Sequence, residues 1–91
     1  MNSSVIERRY VNSAICEAIA RTFHFAIGEI HDQTCALDVP GWDSISNALV
    51  ILEIEDQIGQ ELPLEDIVAA ENVGAMVEIV LAYLNLAVDP E

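Results

Sequence analysis

Ser44 is the side chain in this sequence best placed for covalent chemistry, and the stretch Gly41-Trp42-Asp43-Ser44-Ile45 says why. Pro40-Gly41 is a turn signal, after which Asp43 or Ser44 can cap the backbone N–H groups that a helix start leaves without partners. A hydroxyl at such a junction sits at the positive end of a helix. A phosphate attached there is stabilised by the macrodipole and the free amides, an advantage a mid-helix serine lacks. Ser46 is the competing hydroxyl, but it falls inside the first helical turn, where it bonds locally or faces water. No histidine lies near Ser44 in the chain, and His24 and His31 reach it only if the fold brings them, so no catalytic residue is assigned. Taken alone, Asp43-Ser44 is also what an ordinary helix cap looks like. Metal chemistry has little to build on. The carboxylates are scattered without the alternation and central glycine of a calcium loop, and His24, His31 and Cys35 do not have a zinc-ligand spacing.

The element that must position Ser44 is a helix from about Ser44 to Ile58, and its apolar residues do not fit on one face. Winding at about 100° per residue groups Val50, Ile51, Ile54 and Ile58 on one side and Ile45, Ala48, Leu49 and Leu52 on the other. Two stripes need two partners: one faces a core, and the other is covered by a loop or left for another protein. Glu53, Glu55 and Asp56 lie toward the C-terminal half, where the dipole disfavours negative charge, so folding alone would not choose them there. Asp56 shares a sector with Ile45, Leu49 and Leu52, which gives an apolar centre with an acidic edge suited to a basic, partly apolar groove.

Around that helix the pattern is helical throughout. Ser4 and Glu7 have capping-box spacing, so a first helix is expected from near Val5 to about Thr22, burying Val11, Ala14, Ile15, Ala18 and Ile19. Phe23 and Phe25 continue the core contact, Gly28 ends the periodic pattern, and a loop runs to Pro40. Trp42 is expected to pack over this loop. Pro63, Glu65 and Asp66 open a short third helix. Asn72 caps a last one, with Val73, Met76, Val77, Val80, Leu81 and Leu84 as its stripe and Gly74 weakening its first turn slightly.

The chain has 91 residues, enough for one small core, and residues 1–91 are expected to form a single domain. Its formal charge is −13, with 16 acidic residues against three basic ones, all arginine. Phosphate backbones and anionic membranes are repelled by such a chain, which points to proteins with basic patches instead. No stretch has the length of a membrane span and no signal-peptide pattern is present, so a soluble, cytoplasmic chain is expected, with Cys16 and Cys35 as reduced thiols.

Asp43-Ser44-Ile45 resembles the Asp-Ser-Leu attachment motif of acyl carrier proteins, in which the serine carries a phosphopantetheine arm. The resemblance continues through an uninterrupted helical run, an acidic end at Glu55-Asp56, then Gly59, then Glu61-Leu62-Pro63 at the family's spacing, and it covers most of the chain. It implies an all-α fold, a small four-helix bundle with a short third helix and a long loop between helices one and two. It also implies a covalent 4′-phosphopantetheine on Ser44, attached from coenzyme A by a phosphopantetheinyl transferase. Acyl intermediates would ride on its thiol as thioesters, between an acyl-loading ligase or acyltransferase and a downstream synthase or transferase. A carrier of this kind is a monomer without catalytic activity of its own.

Departures from the family's pattern refine the expectation. Ile45 replaces the usual leucine conservatively. Carriers of primary fatty acid synthesis are acidic at the positions of Ser46 and Leu49, which are neutral and apolar here. A discrete carrier for polyketide-like or other specialised biosynthesis fits better. A peptidyl carrier, with a Gly-Gly-His-Ser type of motif, is the near alternative, against which Asp43 argues. From a different class, the same residues describe an unmodified acidic helical adaptor that binds a protein through the second stripe.

Overall fold

The computed structural model describes residues 7–87, the side chains of residues 44, 86 and 87 excepted. Four α-helices follow one another: α1 (Arg8–Phe23), α2 (Ser44–Ile58), α3 (Leu64–Val68) and α4 (Val73–Ala87). No strand occurs among the described residues. This is the all-α bundle expected, with a short third helix and a long connection ahead of α2. α1 packs against both α2 and α4, and α3 bridges α2 and α4. No helix among the described residues is long and apolar enough to cross a membrane.

The apolar stripes meet in one core. Val11, Ile15 and Ile19 of α1 face Val50, Ile51 and Ile54 of α2 and Val73, Met76, Val77, Val80 and Leu84 of α4 in a single buried cluster, which Ile67 of α3 completes. Each such side chain, fully buried, contributes about 1.5–3 kcal/mol. Ser4 and Val5, the expected start of the first helix, lie outside the described residues; α1 as described begins after an extended Glu7 that makes no side-chain cap. Its end is sharper. His24 takes the left-handed conformation at φ 54° and returns its N–H to the Ala20 carbonyl, so His24 is a helix terminator. Gly28, where the periodic pattern stops, lies instead in a short 3-10 turn, Ile27–Glu29.

The connection between α1 and α2 is too long to be structureless in a compact domain, and it is not. Besides Ile27–Glu29 it contains a second 3-10 turn, Ala36–Asp38, and it is fastened to the start of α4. The Val73 N–H donates to the Thr34 carbonyl and the Gly74 N–H to the Asp32 carbonyl, both at 2.8 Å. Asn72 completes the cap as expected, its side-chain oxygen accepting from the Ala75 N–H at 2.8 Å. The Val73, Gly74 and Ala75 amides, which a helix start leaves orphaned, are thereby satisfied. Gly74 leaves room for this approach. A Cβ there would stand 3.1 Å from the Asp32 Cβ and 3.2 Å from its carbonyl oxygen. Gly74 is therefore a contact point with the loop, not the mild weakness that helix propensity alone implies. On the outside, Arg8 holds the same segment, reaching Glu78 at 2.8 Å and Asp32 at 3.4 Å.

Candidate functional site

The approach to α2 is built from a tight turn and an aromatic pair. Trp42 donates its backbone N–H to the Val39 carbonyl across Pro40-Gly41, with Gly41 at φ 92°. Proline at the first corner and a positive φ at the second are the requirements of a type II turn, which glycine meets without strain. The Trp42 ring then stacks on Phe23, centroids 5.7 Å apart and planes inclined by 28°, so the end of α1 supports the start of α2. Trp42 thus packs, partly buried, on the end of α1 and against the core.

Ser44 stands where the spacing places it, as the first residue of α2, and Asp43 is the N-cap. The Asp43 carboxylate accepts the Ser46 N–H at 2.9 Å. That amide, followed by the Ser46 hydroxyl, holds the Asp43 carboxyl below its ordinary pKa. Ser46 is thus turned back on the cap, which is the local bonding expected of it. No acidic side chain follows within the first turn of α2.

Asn47 was not legible as part of this site. It is 9% exposed, one of the few polar side chains in the interior, and its Oδ1 accepts from the Trp42 indole N–H at 2.9 Å. The available signal was an amide inside an otherwise apolar run shortly after Ser44. Beside it opens a cleft of about 320 Å³, bounded by the loop, the start of α2, α3 and the start of α4. Trp42, Asp43, Asn47, Ile67, Glu71 and Met76 are among its walls.

The two stripes of α2 separate cleanly. Val50, Ile51 and Ile54 are buried, whereas Ile45 is 80% exposed and Leu49 and Leu52 are more than half exposed. The reading that folding alone would not choose Glu53 and Glu55 needs correction. Glu53 faces α1 and pairs with Arg21 at 3.0 Å. Glu55 turns the other way, its Oε2 accepting the Leu62 N–H at 2.9 Å and so tying the segment after α2 back to the helix. Both acids therefore have work in the fold. Of these three acids Asp56 alone is exposed and has no side-chain partner among the described residues, and it lies beside the apolar stripe.

His24 terminates α1, and the His31 N–H donates to the Thr34 hydroxyl at 2.8 Å. Among the described residues no group of three or more His, Cys, Asp and Glu side chains is placed to hold a metal ion. Cys16 and Cys35 are separate free thiols; burial, and secondarily Asp32, push the Cys16 thiol up.

A family model described as phosphopantetheine attachment site matches residues 13–80 of the chain. No curated protein and no solved structure gave a significant match.

Proposed function

The chain belongs to the phosphopantetheine-attachment family of carrier proteins, and from that premise we propose that Ser44 is the residue that holds the 4′-phosphopantetheine arm. The prosthetic group supplies a terminal thiol on which acyl groups travel as thioesters, while the protein supplies presentation and recognition. The residues present fit the group. Ser44 opens a helix whose first turn carries no acid, the neighbouring carboxylate of Asp43 is directed at the Ser46 amide, and a cleft with polar and apolar walls lies alongside. Membership implies a phosphopantetheinyl transferase and acyl-handling enzymes as partners, and carriers of this kind are generally not enzymes.

We read the chain further as a discrete carrier of acyl intermediates in polyketide-like or other specialised biosynthesis. The observation that carries this is the exposed stripe Ile45, Leu49 and Leu52 on the same helix as Ser44. It leaves the recognition side of α2 apolar where carriers of fatty acid synthesis are acidic. With Glu53 and Glu55 engaged inside the fold, Asp56 is the acid that remains for a partner on that side.

Intact-protein mass spectrometry after incubation with coenzyme A and a broad-specificity phosphopantetheinyl transferase tests the assignment, with Ser44→Ala and Ser46→Ala beside the wild type. Gain of one phosphopantetheinyl group, lost only in Ser44→Ala, is expected. Loss in Ser46→Ala alone would move the site. No gain in folded wild type with two transferases would leave the unmodified adaptor.

A further inference from the structure

We propose that the groove between α3 and the second half of α4 is a docking site for a basic amphipathic helix of a partner protein, held through Asp66 and Tyr83. This goes beyond the carrier reading and stands whether or not Ser44 bears an arm. The groove encloses about 460 Å³, with Pro63, Asp66 and Ala69 as one wall and Ile79, Ala82 and Tyr83 as the other. Asp66 is three residues from Pro63 and from Ala69, and Ile79 is three and four residues from Ala82 and Tyr83, so each wall is one helix flank. Their neighbours Ile67, Val80 and Leu84 enter the core. None of these walls is shared with the cleft beside Ser44, and α2 contributes nothing to them.

The occupant is identified by charge and by shape. Ile79 lies partly buried against the core, Tyr83 is 38% exposed, and Ala69 and Ala82 are exposed on opposite walls, which leaves an apolar trough that a side chain can enter. Asp66 is exposed and has no side-chain partner among the described residues. The chain's own cations are placed elsewhere. Arg8 is held by Glu78 and Asp32, Arg21 by Glu53, and Arg9 belongs to α1, which lines no part of the groove. The occupant therefore brings the positive charge. A second copy would set one chain of charge −13 against another, and an anionic lipid surface would be repelled in the same way. The described residues contain no strand, so a peptide has no sheet edge to extend and must dock through its side chains, as a helix does in a groove. An arginine or lysine on such a helix lays its stem along Ile79 and Ala82, meets Asp66 with its charge, and finds in Tyr83 a ring that attracts cations. Because α2 takes no part, this partner can hold the protein while an enzyme works at Ser44.

The test is titration of the 15N-labelled full chain with a synthetic amphipathic helical peptide of about four turns, its leucine stripe flanked by arginines, beside a scrambled peptide of the same composition. Saturable shifts centred on the amides of Asp66, Ala69, Ile79, Ala82 and Tyr83 are expected with the helical peptide alone. Asp66→Asn should weaken binding about two- to fivefold, the size of an exposed ion pair. Ala82→Arg fills the trough and offers Asp66 a cation of its own, so it should weaken binding about tenfold. Both positions are exposed, and the wild-type titration decides the matter even where a variant fails to fold. Shifts centred on Ile45, Leu49 and Leu52 would overturn the proposal by placing the basic helix on α2. Equal binding of the scrambled peptide, or no saturable shift, would overturn it as well. With the helical peptide at saturation, a phosphopantetheinyl transferase and coenzyme A should modify Ser44 at an unchanged rate by mass spectrometry; a blocked modification would overturn the separateness of the two faces. No mass gain in the peptide-free control would strike the carrier reading alone and leave the groove to the titration.

Discussion

Substituting Leu49 and Ile51 in parallel separates the face of α2 that holds the fold from the face that meets other molecules. Ile51 is 1% exposed and Leu49 is 54% exposed. Ile51→Ala opens a cavity in the buried core cluster, which costs about 2–5 kcal/mol. A domain of this size has roughly 5–14 kcal/mol in total at 0.05–0.15 kcal/mol per residue. With each kcal/mol worth about 4–8 °C, the variant should melt at least about 8 °C lower. Leu49→Lys removes a side chain that is a little under half buried. Complete burial of a leucine contributes about 1.5–3 kcal/mol, so at most about 0.7–1.4 kcal/mol is lost, and the lysine stem recovers part of it. Its melting temperature should stay within a few degrees of wild type. Its partner enzymes should notice more. An apolar anchor at the centre of a contact is worth more than about 1 kcal/mol, and every 1.4 kcal/mol is about tenfold in kcat/KM. Thermal unfolding by circular dichroism and transferase kinetics at low carrier concentration read the two effects separately. If Leu49→Lys melts as low as Ile51→Ala, the stripe belongs to the core. If it melts like wild type and is modified and loaded at wild-type rates, the stripe is not a docking surface.

Other expectations follow from charge and close contact. With a formal charge of −13, self-repulsion opposes compactness, so raising the salt from about 0.01 M to about 0.1 M, which shortens the screening length from about 30 Å to about 10 Å, should raise the melting temperature. A flat or falling response would contradict this. The depressed pKa of Asp43 means that its cap contributes stability above its unfolded pKa and loses it as pH falls through the folded one. The melting difference between wild type and Asp43→Ala should therefore be full at neutral pH and shrink once the pH drops below the ordinary carboxylate range; a constant difference would refute the cap's ionisation. Gly74→Ala should destabilise, although alanine gains about 1 kcal/mol in helix propensity, because its Cβ meets the Asp32 backbone at 3.2 Å where Arg8 and the Gly74 amide hold that segment. A higher melting temperature for this variant would show that the loop yields.

Helix order, the core stripes and the double character of α2 were legible because each follows from periodicity, which depends on a residue's near neighbours alone. Ser44 and its cap were legible for the same reason, since a loop-to-helix junction is a local event. What periodicity misses is which distant group a polar side chain meets. Glu53 and Glu55 looked misplaced against the helix dipole because Arg21 and the Leu62 amide, their partners, come from α1 and from the segment beyond α2. Asn47 read as a blemish in an apolar run until Trp42 was seen to donate to it. Gly74 carried the propensity argument only, because nothing near it in sequence announces that the carbonyl of Asp32 will approach. The 3-10 turns of the long connection lacked a signal strong enough to separate them from loop.

The fastening of residues 32–34 to the first turn of α4 also sets a clock. The Val73 and Gly74 amides are bonded to carbonyls from the connection and not to their own helix, so their hydrogens exchange with solvent only when that connection lifts. Their exchange rates report the lifetime of the latch, independently of the rest of α4, whose amides wait for the helix to unwind. Cys35 and Ala36, which follow the latched residues directly, line the cleft. A ligand resting in the cleft, against a wall that the two bonds help to hold, should lengthen their lifetime without touching them.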